Sequence, residues 1–264
     1  MNNKIIIAVD AMGGENSPKK IIDGIELSLI ESKENFFKLY GNKDQLNVLV
    51  NKKPKINNYC EIIHSDNKIK DEESPLTAAK KSKSTSMWQS IESQKNGKSQ
   101  ITLSAGNTGA LFILSRLILN MIDGVEKPAL AGLWPNKIGM NVVLDLGANI
   151  ECNDKNLIDF SYMGAALHRA LYPEIEPKIA LLNVGLEEIK GSEKIKKAYQ
   201  HLKELNKNDF EFHGYIEGNH IMDGNVNVIV INGFTGNIAL KTAEGTANFI
   251  TKKFKGKFKQ KFIK

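Results

Sequence analysis

Cysteine is nearly absent from this chain: Cys60 and Cys152 stand apart from one another and from any CxxC or paired histidine. That excludes a disulfide frame and argues against a zinc site, so both are read as reduced, structural thiols. No run approaches the roughly 18 uncharged apolar residues of a membrane-spanning helix. The start, MNNKIIIAVDAMGG, has too short an apolar run for a secretory signal, and a cytoplasmic protein is expected. GxGxxG and GxxxxGK[ST] are both missing, which removes the main support for dinucleotide and P-loop nucleotide binding. Positive charge is scarce outside one end. The formal charge is +6, but the last thirteen residues, KKFKGKFKQKFIK, hold seven lysines and no acid, and without them the balance falls to −1. So neutral a body argues against nucleic-acid binding.

What is present is an ordinary globular composition, 41% hydrophobic and 25% charged over 264 residues, enough for one large α/β domain or two small ones. Four runs of β-branched and aliphatic residues stop at loops of Gly, Asn, Asp and Thr: IIIAVDAMGG (5–14), ITLSAGNTGA (101–110), VVLDLGAN (142–149) and VIVINGFTGN (228–237). In an open parallel sheet such exits gather along one edge, where small residues let a ligand approach the backbone and helix N-termini offer free N–H groups.

Further strands are expected at 36–41, 60–64, 178–185 and 210–216, with an extended segment at 128–135. Helices are expected after Ser17-Pro18 to about Ser32, within 74–95 at the spacing of Met87, Trp88 and Ile91, from Asn107 to about Met121, after a cap at Asp154, over 194–205 and from Thr235. Strands alternating with helices predict an α/β fold on a mostly parallel, doubly wound sheet with right-handed crossovers. Residues 1–250 are read as a single α/β catalytic domain. Residues 251–264 are a basic amphipathic or disordered tail, in which Phe254, Phe258 and Phe262 recur every four residues.

GNTGAL (106–111) and GFTGNIALKTAEG (233–245) each place Thr-Gly where a strand hands over to a helix. Hydroxyl and backbone donors converge there without a Cβ clash, a geometry suited to phosphate. For either loop alone, Gly and Asn serve equally as turn residues. Taken together and in order, AVDAMGG, SAGNTGAL, LDLGANIEC, LLNVGLEEIKG and NGFTGNIALKTAEG closely resemble the phosphate acyltransferases of bacterial phospholipid synthesis. The resemblance runs from Ile5 to about Gly245. It implies a homodimeric three-layer α/β/α sandwich related to the isocitrate and isopropylmalate dehydrogenase fold, with no cofactor and no metal. Its substrates would be inorganic phosphate and the acyl-phosphopantetheine arm of acyl carrier protein, and its setting the cytoplasm with peripheral attachment to a membrane.

Phosphate attack on a thioester needs an anion cradle, oxyanion donors and orientation more than a strong base. That fits matched blocks without histidine; His64, His168, His201, His213 and His220 are read as surface or capping residues. Within the blocks, Lys190 is the first choice for binding phosphate or steadying the oxyanion, against the alternative of a solvated lysine beside Glu187 and Glu188. Asn237 and Asn107 are the other catalytic candidates. Gly13, Gly14, Thr108, Gly109, Thr235 and Gly236 would form the cradle, Asn149 and Asn183 orient a ligand, and Lys241 point to the same edge. Asp10 and Asp145, at strand ends, would hold a lysine or a backbone N–H, or serve structure alone.

Two departures from the family stand out. Asn232 replaces an aspartate, and a Gly-rich LLG segment and an IKxHG segment that normally follow are missing here, which suggests a truncated chain. The lysine- and phenylalanine-rich tail suits an anionic membrane or an acidic carrier equally, with a solvated tail as the alternative. Rival readings are a phosphotransacetylase-like enzyme using coenzyme A and an inactive fragment that binds carrier or membrane.

Overall fold

The computed structural model describes residues 4–74, 77, 80, 82–205 and 209–261. They form two compact units, residues 1–122 and 123–264. In the first, β1 (Ile5–Asp10), β2 (Asn35–Gly41), β3 (Cys60–His64) and β4 (Ile101–Ser104) make a parallel sheet of order β3-β2-β1-β4. Crossovers run through α1 (Lys19–Glu31), α2 (Lys43–Asn51) and α3 (Ser86–Lys95); α4 (Thr108–Leu119) follows β4. Ile7, Val9, Phe37 and Leu39 pack with Ile22 and Ile25 of α1 and Leu46 and Val50 of α2. Met87 and Ile91 of α3 meet Ala110, Leu114 and Ile118 of α4 in a separate cluster. The expected helical spacing of Met87 and Ile91 is therefore a buried face. Residues 75, 76, 78, 79 and 81 of the stretch expected to be helical lie outside the described residues.

The second unit holds β5 (Ala131–Pro135), β6 (Met140–Leu144), α5 (Asp154–Leu171), β7 (Lys178–Leu182), α6 (Glu193–Glu204), β8 (Glu211–Ile216), β9 (Val228–Val230) and α7 (Gly233–Lys261). Its sheet order is β5-β6-β9-β7-β8, parallel except for β5. The central strands are buried on both faces, because successive side chains point to opposite sides. Val142, Leu144, Ile179, Leu181, Val228 and Val230 face Leu157 and Phe160 of α5 and Leu202 of α6. Val143, Ala180, Leu182, Ile229 and Ile231 face the other way, toward Trp134, Ile221 and Ala239 and Leu240 of α7. This unit is thus helix on sheet on helix.

The one continuous sheet expected from the alternation is two sheets. After α4 the backbone turns at Asn120 (φ 64°) and makes no regular element before β5. The chain then enters a new sheet as an antiparallel edge strand, joined to β6 through a turn closed by Asn136 N–H donating to Gly139. Periodicity reports that a strand is buried but not which strand it pairs with.

Two caps differ from expectation. Pro18, not Ser17, occupies the N-cap of α1, and the Ser17 hydroxyl donates to the Gly13 carbonyl instead. Asn153, not Asp154, caps α5, in a reciprocal box with Asn156, while Asp154 sits in the first turn, where the helix dipole favours a carboxylate.

His168 is a further correction. Rather than lying at the surface it is 2% exposed, on the inward stripe of α5 with Phe160, Ser161, Gly164 and Ala165, beside Tyr172 with Nδ1 unpartnered. Burial, aided by neighbouring Arg169, lowers its pKa from the ordinary value of 6.5. A lowered histidine pKa means the unfolded state binds the proton first as pH falls. Wild-type stability relative to His168→Phe should therefore hold above pH ~6.5 and decline below it. Denaturant titrations across pH 5–8 check this; a constant difference would contradict it.

Phe254 in the distal part of α7 is exposed, and the helix continues through Gly256. Phe262 lies outside the described residues.

Candidate active site

The first cluster lies at the carboxyl end of the sheet in residues 1–122. Asp10, the last residue of β1, is buried and in register with Ser104, the last of β4. Its carboxylate accepts from the hydroxyls of Ser86 at 2.5 Å and Ser104 at 2.8 Å and from Met12 N–H at 3.3 Å. Burial pushes its pKa up, and those hydrogen bonds only partly offset it. Asp10 therefore ties β1, β4 and α3 together through hydroxyls and backbone N–H rather than through a lysine. Gly13 and Gly14 cross the β4 exit at contact distance: a Cβ on Gly14 (φ 87°) would lie 2.3 Å from the Ala105 carbonyl oxygen, and one on Gly13 3.0 Å from Gly106 N. No other residue fits that crossing without displacing backbone.

Asn107 caps α4 by accepting from Ala110 N–H at 3.0 Å, and its amide donates to the carbonyls of Asp71 and Glu73, both at 2.9 Å. All of its polar atoms are thus engaged in holding the loop, which leaves the backbone N–H groups of Thr108 and Gly109, at the open end of α4, as the donors here.

The second cluster lies in residues 123–264, where β6 ends and α7 begins. Asp145 is fully buried, after a cis Leu144-Asp145 peptide. Its carboxylate accepts from four backbone N–H groups, those of Leu130 at 3.1 Å, Gly147 at 3.2 Å, Ala148 at 3.0 Å and Asn149 at 2.7 Å, and from the Asn149 amide at 2.7 Å. The carboxylate organises the loop as a bound anion would. Asn149 also donates to the Pro128 carbonyl at 2.7 Å, so its side chain holds protein rather than ligand.

α7 is seated on this loop by its glycines. A Cβ on Gly236 would fall 1.9 Å from the Asp145 carbonyl oxygen, and one on Gly233 2.6 Å from that of Asn149. Asn232 caps the helix, its Oδ1 accepting from the backbone and hydroxyl of Thr235 at 3.0 and 3.1 Å. Asn232 therefore does what an aspartate does at this position, and the Thr235 hydroxyl is committed to it. Asn237 stands exposed over Gly147, its amide without a hydrogen bond among the described residues. Lys241 pairs with Glu244 at 2.8 Å on the exposed helix surface.

The third element is the loop between β7 and α6. Asn183, 8% exposed, donates to the carbonyls of Gly185 at 3.2 Å and Lys190 at 3.1 Å, pinning both ends of the loop. Gly191 (φ 93°) lies against it, where a Cβ would be 2.3 Å from Asn183 Oδ1. Lys190 is exposed, its stem against Gly185, and its ammonium forms no ion pair among the described residues. Glu188, its expected neighbour, is instead held by Lys203 at 2.6 Å and the Tyr199 hydroxyl at 2.9 Å, which lowers its pKa. Ser192 then caps α6. A free cation thus sits just before a helix N-terminus, an arrangement that attracts an anion.

Ser86 and Ser104, the hydroxyl partners of Asp10, were not singled out in the sequence. Ser104 was legible, since it ends β4 in the same register as Asp10. Ser86 was not, being distant in sequence and brought in by α3.

Asp145, Asn149, Gly236 and Asn237 come together, and so do Asn183 and Lys190. One cavity is lined by Asn183 and Gly191 of the β7–α6 loop and by Asn232 and Thr235 at the start of α7, and by none of Asp145, Asn149, Gly236, Asn237 and Lys190. Cys60 and Cys152 are free thiols, with burial raising both pKa values. No cluster of metal-ligating side chains occurs among the described residues.

The fold is shared with solved phosphotransacylases. The phosphotransacetylase EutD of Staphylococcus aureus aligns over 94% of this chain and 83% of its own, with a TM-score of 0.64 and 18% identity. A branched-chain phosphotransacylase of Enterococcus faecalis aligns over 90% and 83%, with a TM-score of 0.58 and 16% identity. The fold is therefore α/β of the phosphotransacylase kind. A family model described as "Fatty acid synthesis protein" matches residues 5–264. The phosphate acyltransferase of Pelagibacter ubique is 58% identical over 97% of this chain and 76% of its own length, and that of Caulobacter vibrioides 41% over 97% and 71%. The chain belongs to the phosphate acyltransferase family.

Proposed function

We propose that this chain transfers a fatty acyl group from the thioester of acyl carrier protein to inorganic phosphate, giving the acyl-phosphate used in phospholipid synthesis. The observation that carries the reading is the 58% identity to a phosphate acyltransferase across nearly the whole chain. A phosphate oxygen attacks the thioester carbonyl, the C–O bond forms, and the C–S bond breaks to release the carrier's phosphopantetheine thiolate. Phosphate is a competent nucleophile and a thiolate a fair leaving group, so the demand on the protein is placement and charge stabilisation. Lys190 and the N-terminus of α6 supply charge for phosphate or the tetrahedral oxyanion, and the unengaged amide of Asn237 supplies a donor. Asp10, Gly13, Gly14, Asn107, Asp145, Asn149, Asn183 and Gly236 are positioning residues in this scheme; Thr108, Gly109 and Thr235 contribute backbone.

The proposal treats residues 1–250 as one catalytic body of the isocitrate dehydrogenase-like class, working as a homodimer in the cytoplasm. It assigns residues 251–264 to contact with an anionic membrane surface. No helix among the described residues is long and apolar enough to cross a membrane. The test is to incubate the purified chain with acyl-carrier protein and labelled phosphate and to look for hydroxylamine-sensitive acyl-phosphate. Acyl-coenzyme A as donor serves as the comparison. Product from the carrier thioester is expected, and none from a folded protein would refute the reading.

A further inference from the structure

Lys190 follows Glu187 and Glu188 in the chain, and the loop that carries all three has little packing to keep their charges apart. Val184, Leu186 and Ile189 of that loop are all exposed. Among the described residues, Glu188 is the one side chain between Asn183 and Gly191 that hydrogen-bonds to another element. Its Oε1 accepts from Lys203 Nζ at 2.6 Å and from the Tyr199 hydroxyl at 2.9 Å. Both donors belong to α6, four residues apart and so on one face of it.

The Tyr199 ring is seated on β8 by an irregularity of the sheet. Phe212 pairs with Ile179 and Gly214 with Ala180, so His213 is an extra residue, and Gly214 takes φ 93°. In an unbroken strand Phe212 and Tyr215, three residues apart, would point to opposite faces. The bulge turns both toward Tyr199, at ring-centroid distances of 5.5 and 4.5 Å. Tyr215 is itself part of the core, so the hydroxyl that holds Glu188 is placed from the sheet. Re-aiming a side chain is what bulges beside functional sites do.

We propose that Tyr199 and Lys203 are positioning residues for phosphate binding: they hold the Glu188 carboxylate away from Lys190 and leave that ammonium to the anion. Glu188 and Lys190 are two residues apart in an exposed loop, and their side chains are long enough to pair once Glu188 is released. An incoming anion would then meet a cation already neutralised. Glu187, the other carboxylate, lies over Gly185 beside the Lys190 stem and forms no ion pair with the ammonium among the described residues. The inference rests on the acyltransferase reading for the identity of the anion, inorganic phosphate, and adds to it the residues that keep its cation available.

The test is the binding of inorganic phosphate to the full chain, followed by phosphorus NMR titration, which needs no turnover. Tyr199→Phe combined with Lys203→Met deletes both donors while keeping the ring on its seat. The Kd for phosphate should rise about two- to fivefold, the strength of an exposed ion pair. Glu188→Gln added to that variant should restore the wild-type value, since an amide does not neutralise Lys190. In a Lys190→Ala background the two substitutions should change nothing. An unaltered Kd would overturn the proposal, as would wild-type chain that binds no phosphate. So would a rise that Glu188→Gln leaves in place or that persists without Lys190, either of which is the mark of a purely structural role for Tyr199 and Lys203. The expected binding pattern without acyl-phosphate would sustain the proposal and refute the reaction; acyl-phosphate formed while the Kd stays unaltered would do the reverse.

Discussion

Lys190→Ala is expected to lower kcat/KM for acyl-phosphate formation by about 10²–10³-fold, the size of effect seen when one preorganised oxyanion donor is removed. The expectation rests on two features of the β7–α6 loop. The Lys190 ammonium has no counter-ion among the described residues, so its charge is available to a ligand. The backbone beneath it is fixed by Asn183, whose amide donates to the carbonyls of Gly185 and Lys190, so the loop that carries the charge is held in place before substrate arrives. Because Lys190 is exposed, the variant should fold normally and any loss be chemical. Initial rates against phosphate concentration apportion the effect. A rise in KM for phosphate alone assigns Lys190 to ground-state binding, and equal losses in kcat and kcat/KM assign it to the transition state. Lys190→Arg should restore part of the rate. A loss smaller than about tenfold would remove Lys190 from the chemistry.

Asp145→Ala should remove at least about 4 kcal/mol of stability, since four backbone N–H groups and one amide lose a buried acceptor and each such loss costs about 1–3 kcal/mol. Against a total of about 5–15 kcal/mol for a typical protein, that leaves little or no folded chain at 37 °C. Asp145→Asn should be intermediate. One oxygen can still accept from Leu130, Gly147 and Ala148, but the other position becomes an N–H₂ facing the donors of Asn149. Chemical denaturation of the full chain gives both values; an alanine variant as stable as wild type would show that water takes over the role of the carboxylate.

These two residues also mark the limit of what the sequence discloses. Strand exits at Asp10, Ser104, Leu144 and Val230 were legible because β-branched runs end at glycine-rich loops, and those stops have a steric cause visible residue by residue. Gly14, Gly191 and Gly236 occupy places where a Cβ would lie within about 2.3 Å of a neighbouring oxygen. Partnerships were not legible. Asn107, Asn149 and Thr235 looked like free donors, yet each is engaged with protein, whereas the side chains of Asn237 and Lys190 have no polar partner among the described residues. Amide and hydroxyl groups satisfy whichever neighbour the fold delivers, and the neighbours of Asn107 lie at Asp71 and Glu73, far away in sequence. The same holds for the sheets: the alternation of strands and helices is a local property, while division into β3-β2-β1-β4 and β5-β6-β9-β7-β8 depends on which edges meet.

The seating of α7 by glycine has a mechanical corollary. The helix spans 29 residues, and its root is clamped between the Asn149 and Asp145 carbonyls with no side chain to act as a bearing. A rod held so closely at one end cannot swivel there. A load on its distal, exposed turns becomes torque at the root, and the groups that feel it first are the Asp145 loop and Asn237.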